Sequence, residues 1–215
     1  MADEIYDLLV IGGGINGAGI AADAAMRGLS VLLAEADDLA GATSSASSKL
    51  IHGGLRYLEH FEFRLVREAL AEREVLLANA PHIIRPMRFV LPLVPGMRPA
   101  LMMRAGLFLY DHLARRKSLG ASHAIDLQRD PAGAPLVSEL NSGFTYWDCW
   151  VDDARLVVLN AIAAREAGAR IETLTPVTEL RTQNGIWIAT LGTDSHQVST
   201  RAIVNAAGPW VGDVA

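Results

Sequence analysis

Three glycines near the start of the chain have the spacing of a phosphate-binding turn. Gly12, Gly14 and Gly17 form the pattern G-x-G-x-x-G directly after the apolar run 5–11. In a strand–turn–helix unit the first glycine permits a tight turn, the second lets the backbone approach a pyrophosphate, and the third lets the helix pack closely on the strand. The N–H groups that begin the helix would face the phosphates. The pattern therefore predicts a dinucleotide site.

An acidic residue follows at the distance that a ribose contact requires. Glu35 stands about 20 positions beyond Gly14, at the end of a second predicted strand, 29–34. Its carboxylate can accept hydrogen bonds from ribose hydroxyls and would repel a 2′-phosphate. We therefore expect FAD or NAD rather than NADP, and the glycine pattern alone does not choose between FAD and NAD.

The serine-rich segment 42–59 makes that choice. It supplies several hydroxyl side chains and ends in the string Lys-Leu-Ile-His-Gly-Gly-Leu-Arg-Tyr, from Lys49 to Tyr57, followed by Leu-Glu. Hydroxyls and exposed amides suit a pyrophosphate and a polar ring edge, and the paired glycines Gly53 and Gly54 would let the backbone lie against a flat ring system. A flexible linker would not normally end in such a string. The segment favours FAD.

The surrounding elements predict an α/β fold. The run 5–11 is suited to a strand buried on both faces, and 29–34 is the next strand. The alanine-rich stretch 18–27 between them is helical, and Gly28 ends it. Residues 202–208 form a buried strand that ends in glycine. Further helices are expected at 64–79 and 153–167, and further strands at 88–94, 170–175, 185–191 and 197–200.

The middle of the chain allows two interpretations. In the predicted helix 64–79 the apolar positions are Leu65, Leu70, Val75 and Leu76, and Pro92 makes 88–94 an edge strand or a strand end. The segment 97–117 is either a basic amphipathic surface that docks on anionic lipid or a partly buried helix with solvated ends. Its apolar residues are Leu101, Met102, Phe108, Leu109 and Leu113, and its cations are Arg98, Arg104, Arg115, Arg116 and Lys117.

Composition excludes several functions. The 215 residues carry a net charge of -5, which argues against general binding of nucleic acid. A single cysteine, Cys149, fits a reducing compartment, the acidic start of the chain does not resemble a secretory signal, and no apolar run reaches the ~20 residues of a membrane-spanning helix. We expect no metal site at Asp148, Asp152 and Asp153, which lack further ligands, and no hydrolytic triad among the scattered histidines.

Most of the chain resembles the respiratory FAD-dependent glycerol-3-phosphate dehydrogenases. The matching parts are 7–59, 64–77, 146–156 and 205–210, and the string that ends at Tyr57 is the most specific of them. The resemblance implies a Rossmann-like FAD-binding domain of the glutathione-reductase/D-amino-acid-oxidase type, with part of an inserted β-sheet substrate domain. We expect the discontinuous FAD-binding domain at 1–80 and 146–215, and the substrate and membrane-contact part at 81–145.

The same resemblance assigns roles to individual residues. It places His52 and Gly53 near the isoalloxazine, and Arg56 at the substrate phosphate with Tyr57 nearby; a guanidinium also suits phosphate on physical grounds, because it forks onto two oxygens. Val177 would contact the adenine side or simply pack in the core. The residues expected at the cofactor are Gly12, Gly14, Ile15, Asn16, Gly17, Glu35, Ala36, Thr43, Ser44, Ser45, Ser47, Lys49, Leu50, Ile51, His52, Gly53, Val177, Ala207, Gly208 and Trp210.

The resemblance also implies an activity. FAD would oxidise sn-glycerol 3-phosphate to dihydroxyacetone phosphate by hydride transfer to flavin N5, and quinone would take the electrons, at the cytoplasmic face of the inner membrane and in a chain that could form homo-oligomers. Chains of this family continue beyond Ala215, where the catalytic base is expected. Two alternatives stay open: a catalytically incomplete FAD-binding fragment, and an FAD-dependent oxidase of an amino acid or amine, which Arg56 and Tyr57 disfavour.

Overall fold

The computed structural model describes residues 5–96 and 98–214. The strands, in chain order, are β1 (Ile5–Ile11), β2 (Val31–Ala34), β3 (Leu50–Ile51), β4 (Ile84–Pro92), β5 (His123–Asp126), β6 (Ser142–Val151), β7 (Arg170–Glu172), β8 (Val177–Gln183), β9 (Ile186–Leu191) and β10 (His196–Asn205). The α-helices are α1 (Ile15–Met26), α2 (Phe63–Asn79), α3 (Ala100–His112) and α4 (Asp153–Glu166), and short 3-10 helices occur at Thr43–Ser45, Leu55–His60, Pro131–Gly133 and Gly208–Trp210.

The chain divides into two compact units, and the division differs from the predicted one. The first unit contains the residues up to Ser48 and those from Asp152 onwards, and the second is Lys49–Val151. Residues 49–80 and 146–151 therefore belong to the second compact unit rather than to the first. The reason is strand pairing, because β3 and β4 both pair with β6.

The first unit is built on a six-stranded sheet in the order β7-β2-β1-β10-β9-β8. Strands β7, β2, β1 and β10 run parallel to one another. Strands β9 and β8 continue the sheet in antiparallel orientation. The predicted strand 5–11 is confirmed, and its position inside the sheet explains the apolar run that follows Asp7. The buried positions of α1 are Gly17 and alanines, and α1 packs against α4.

Strand β10 corrects a prediction of two strands at 197–200 and 202–208. It is one continuous strand, whose first half pairs antiparallel with β9 while its second half pairs in parallel with β1. The exposed Arg201 interrupts the apolar pattern without interrupting the backbone pairing. Strand β8 was missed because it lies at the sheet edge and its side chains are mostly exposed and polar.

The second unit contains a smaller antiparallel sheet with β6 at its centre. Strand β4 pairs with β6 over its whole length, and β3 and β5 also pair with β6. Strand β4 lies at the end of the sheet order and finishes at Pro92, so the predicted edge position is confirmed. The sequence did not predict β5 or β6.

Helix α2 extends over the predicted residues, but it buries a different face. Leu65 and Val75 are exposed, whereas Leu70 packs inward as expected. The buried face is formed by Val66, Leu70, Arg73, Glu74 and Leu77. The apolar pattern did not reveal this face, because two of its positions, Arg73 and Glu74, carry charged side chains that are buried inside the unit.

Candidate cofactor and substrate sites

The glycine turn after β1 has the geometry that its sequence predicts. Gly12 has φ +108°, and Gly14 is the first residue before α1. A Cβ on Gly17 would lie 1.8 Å from the carbonyl oxygen of Gly12, so the helix approaches the turn more closely than any side chain allows. A Cβ on Gly14 would meet only the Ser44 hydroxyl within 4 Å, at 3.0 Å. The turn therefore combines close packing behind Gly17 with open space in front of Gly14.

Glu35 stands beside this turn as expected and also supports it. Its carboxylate accepts hydrogen bonds from the N–H of Gly13 at 2.5 Å and from the N–H of Asp37 at 2.8 Å. Each carboxylate oxygen has a further lone pair, so Glu35 can still accept from a ribose hydroxyl. The negative charges of Glu35 and Asp37 would repel an additional phosphate at this end of the site.

The serine-rich segment contributes directly to the start of α1. The Ser44 hydroxyl accepts a hydrogen bond from the N–H of Ile15 at 3.0 Å, which satisfies one of the free donors of the helix N-terminus. Ser47 instead donates to Asp153 at the start of α4, at 2.7 Å, and Ser45 donates to the carbonyl of Ala42. Ser45, Ser47 and Gly17 do not line the cavity described next, and the cofactor contacts of the two serines remain predictions.

A cavity of about 480 Å³ opens in front of the glycine turn, within the range of roughly 300–1,000 Å³ that ligand pockets occupy. No Lys or Arg is among its described lining residues, so a pyrophosphate here would be held by backbone N–H groups, hydroxyls and the dipole of α1. The arrangement fits the dinucleotide part of FAD. Among the predicted cofactor residues, it brings together Gly12, Gly14, Ile15, Asn16, Glu35, Ala36, Thr43, Ser44, Val177, Ala207, Gly208 and Trp210.

Several lining residues were not predicted from the sequence. Pro176, Ala206 and Pro209 flank predicted positions and line the cavity beside the start of β8 and the end of β10. Their signal in the sequence is weak, because they contribute backbone and small apolar surface rather than a functional group. The end of a strand next to a predicted cofactor residue is the feature that could have identified them.

A second cavity, of about 1160 Å³, lies in the second unit. Of the predicted residues, Leu50, His52, Arg56 and Tyr57 line it, whereas Lys49, Ile51 and Gly53 do not. Arg56 and Tyr57 are exposed on the 3-10 helix Leu55–His60. Much of the remaining wall is apolar and comes from Phe61, Phe63, Phe89, Leu91, Met102, Met103, Leu107 and Leu109.

The charges on this wall differ in their pairing. Arg98 donates to Glu59 at 2.5 Å, so these two charges offset each other. Arg56 forms no ion pair within residues 5–96 and 98–214. Its guanidinium is therefore available to an anionic ligand in this cavity, as its predicted role requires.

A buried hydrogen-bond network supports the loop that carries these residues, and the sequence did not reveal it. The N–H of Gly53 donates to the hydroxyl of Tyr110 at 2.7 Å, and that hydroxyl lies 2.8 and 2.9 Å from the two carboxylate oxygens of Asp148. Arg73 donates to Asp148 at 2.5 Å and to the carbonyl of Trp147 at 2.9 Å. Only tertiary structure brings these residues together.

Burial sets the protonation of this network. Desolvation, followed by the neighbouring Asp148 charge, raises the pKa of the Tyr110 hydroxyl far above its ordinary value, so Tyr110 remains a hydrogen-bond donor. Burial raises the pKa of the Asp148 carboxyl, while hydrogen bonds from Tyr110 and Arg73 act in the opposite direction. Asp152 and Asp153 stand at the start of α4 as expected, where the Asp152 carboxylate accepts from the N–H of Arg155 and the Asp153 carboxylate accepts from the hydroxyl of Ser47.

Comparison with known proteins agrees with this geometry. A protein family described as FAD dependent oxidoreductase matches residues 7–215. The glycerol-3-phosphate dehydrogenase of Pseudomonas tolaasii is 64% identical over 211 residues, covering 97% of this chain and 40% of that protein. The D-erythritol 1-phosphate dehydrogenase of Brucella abortus is 63% identical over 215 residues, covering 98% of this chain and 43% of that protein. The chain thus spans about two fifths of the length of these relatives.

Solved structures give the same fold. The crystal structure of the glycerol-3-phosphate dehydrogenase from Bacillus halodurans complexed with FAD superimposes with a TM-score of 0.71 and 29% identity, covering 100% of this chain and 36% of that one. The glycine oxidase from Bacillus cereus superimposes with a TM-score of 0.68 at 22% identity, which is a likeness of fold alone. The predicted fold class, the predicted resemblance and FAD as the cofactor are confirmed.

Proposed function

The chain belongs to the FAD dependent oxidoreductase family, and from this premise we propose that its protein oxidises glycerol 3-phosphate to dihydroxyacetone phosphate. The observation that carries the proposal is the cavity of the second unit, which is lined by Arg56, His52 and Tyr57 and where the guanidinium of Arg56 has no ion-pair partner among the described residues. The 64% sequence identity of the chain to a glycerol-3-phosphate dehydrogenase supports the same substrate.

The residues of this chain bind and orient. The amide of Gly14 would hold the cofactor pyrophosphate together with the Ser44 hydroxyl, which accepts from the N–H of Ile15 and can still donate its own hydrogen, and Glu35 would accept from the ribose. Arg56 binds the substrate phosphate by parallel N–H···O bonds, with Tyr57 beside it. Bound FAD supplies the hydride acceptor, N5 of the flavin. We place the base that takes the proton of the 2-hydroxyl in the part of the relatives' length that this chain does not cover.

We also propose that the protein attaches peripherally to the cytoplasmic face of the inner membrane and passes its electrons to quinone. Helix α3 supports the membrane attachment. Leu101 and Phe108 are exposed along the helix and do not line the second cavity, and the nearby cations Arg104, Arg115 and Lys117 are exposed as well. Met102 and Leu109 are exposed too, but they line that cavity. An apolar strip with flanking positive charge suits anionic lipid. Leu113 is partly buried and contributes to the core instead, and Met97 lies outside the described residues. No helix in the described part of the chain has the length and apolarity to cross a membrane.

The function can be tested by flavin reduction without oxygen. We expect glycerol 3-phosphate to bleach the visible flavin absorption of the purified, flavin-loaded protein. Persistent absorption would instead indicate a catalytically incomplete FAD-binding fragment, and bleaching by an amino acid or amine alone would indicate an oxidase of those substrates. Either result would overturn the proposed substrate.

A second candidate substrate is D-erythritol 1-phosphate. The relative that carries this name is as similar to the chain as the glycerol-3-phosphate dehydrogenase is. Both substrates present a phosphate to Arg56, so Arg56 does not distinguish between them. Measurement of kcat/KM for the two compounds identifies the preferred substrate. A higher kcat/KM for D-erythritol 1-phosphate would show that this compound, rather than glycerol 3-phosphate, is the substrate.

A further inference from the structure

Tyr110 acts on the site without lining it. We propose that Tyr110 is a positioning residue, which together with Asp148 and Arg73 holds the backbone at Gly53 and thereby fixes Arg56 for binding of the substrate phosphate. The inference rests on the proposed function, since it takes Arg56 as the phosphate-binding residue. It assigns a role to side chains from α2, α3 and β6 that converge on one amide of the loop.

Gly53 is shaped to reach this network. A Cβ at this position would lie 2.3 Å from Cδ2 of Leu70 and 2.7 Å from the hydroxyl of Tyr110. Because Gly53 has no side chain, its buried backbone N–H comes within 2.7 Å of the Tyr110 hydroxyl. The same N–H lies 3.4 Å from Asp148 Oδ1, a long and weak second hydrogen bond, so the hydroxyl is its main acceptor. A buried N–H that lost its main acceptor would cost roughly 1–3 kcal/mol, and the hydroxyl therefore favours one backbone position.

The turn that follows carries this constraint to Arg56. Gly54 adopts the left-handed conformation with φ +71°, and its carbonyl accepts a hydrogen bond from the N–H of Tyr57 at 2.8 Å. Arg56 lies inside this single turn, only a few residues from the anchored amide. A shift at Gly53 therefore displaces the base of the Arg56 side chain.

The network is better explained by orientation than by stability. Arg73 and Asp148 are almost fully buried, and a buried ion pair is often no more stabilising than apolar side chains of the same volume. Arg73 Nε is also buried without a hydrogen-bond partner among the described residues. What the charges provide is a fixed position for Asp148, and Asp148 in turn fixes the hydroxyl of Tyr110.

The experiment uses the flavin-loaded protein and removes one hydroxyl. Tyr110→Phe should raise KM for glycerol 3-phosphate about tenfold, the effect of one well-aligned hydrogen bond, with flavin content unchanged. It should also speed amide hydrogen exchange in residues 50–58, measured by mass spectrometry. Tyr6→Phe is the matched control: Tyr6 is a buried tyrosine in the first unit, and its change should leave both readouts as they are.

A double mutant separates positioning from general loosening of the structure. In an Arg56→Ala background, Tyr110→Phe should raise KM no further, because the group that it positions is gone. An equal increase in both backgrounds, or unchanged exchange in 50–58, would overturn the positioning role. If Arg56→Ala itself leaves KM unchanged, the phosphate-binding role of Arg56 fails, and the exchange measurement still shows whether Tyr110 holds Gly53.

Discussion

At the scale of single residues, the glycines of one turn have separate functions. Gly17 is required by packing, since its Cβ would overlap the carbonyl of Gly12, whereas Gly14 faces the cavity. Gly19 lies on the same helix, and a Cβ added there would meet no atom within 4 Å. Three glycines within six residues therefore allow folding and cofactor binding to be tested separately.

We predict different outcomes for alanine at these three positions. Gly14→Ala should leave the fold intact and lower flavin retention, because the methyl group occupies the space of the pyrophosphate. Gly17→Ala should lower both the stability of the fold and the retention of flavin, because the helix must move away from the carbonyl of Gly12. Gly19→Ala should keep flavin and raise the free energy of unfolding by up to about 1 kcal/mol. Flavin absorbance per protein and thermal unfolding measure these effects; full flavin retention in Gly14→Ala would contradict the proposed pyrophosphate position.

Arg56 should determine affinity for the phosphate group. Arg56→Ala is expected to raise KM roughly 10- to 100-fold, the loss of charge-assisted hydrogen bonds, while flavin content stays constant. Arg56→Lys should recover part of the loss, because it restores charge without the forked geometry. Arg64→Ala, which removes an exposed arginine paired with Glu68, is the control and should keep the original KM. Loss of flavin in Arg56→Ala would contradict a purely substrate-binding role.

Cys149 should be unreactive in the folded protein. Burial raises the pKa of its thiol to about 11, so very little thiolate exists at pH 8. We expect iodoacetamide to label Cys149 only after denaturation, as measured by mass spectrometry of the intact protein. Rapid labelling under native conditions would show that this part of β6 opens readily.

At the scale of elements, neighbouring strands decide which sequence signals are visible. Strand β1 is central, so its apolar run was recognised, while the exposed β8 was not. Helix α2 was predicted from its apolar positions and the charges between them, but its inward face contains Arg73 and Glu74, which such a pattern assigns to solvent. Element type was therefore predictable where burial is simple, and the buried face was not.

Helix α3 gives the prediction that belongs to this scale. Leu101→Asp together with Phe108→Asp should reduce flotation of the flavin-loaded protein with vesicles that contain anionic phospholipid, because both side chains are exposed and apolar. The matched control is Leu174→Asp, an equally exposed leucine in the first unit, which should float as before. If all variants float equally, the membrane contact does not involve these residues of α3. If the original protein does not float, the proposal of membrane attachment is wrong.

At the scale of the whole molecule, folding and cofactor binding are linked. FAD that binds only the folded state should raise its stability by RT ln(1 + [FAD]/Kd), about 2.7 kcal/mol at a hundredfold excess over Kd. Removing the flavin should therefore lower the midpoint of thermal unfolding, and adding FAD should restore it. In Gly14→Ala the added FAD should have no such effect. A midpoint that is independent of FAD in the original protein would contradict binding to the folded chain.

The sequence by itself determined the phosphate-binding turn, the acid beside it and the choice of FAD, because these depend on residues close together in the chain and on backbone geometry that only glycine permits. Tertiary structure decided the unit boundaries, the continuous β10 and the network of Gly53, Arg73, Tyr110 and Asp148. These depend on which strands pair and on which charged side chains find partners inside the protein. Such long-range contacts leave no local pattern, since burial and pairing arise only when distant segments pack together.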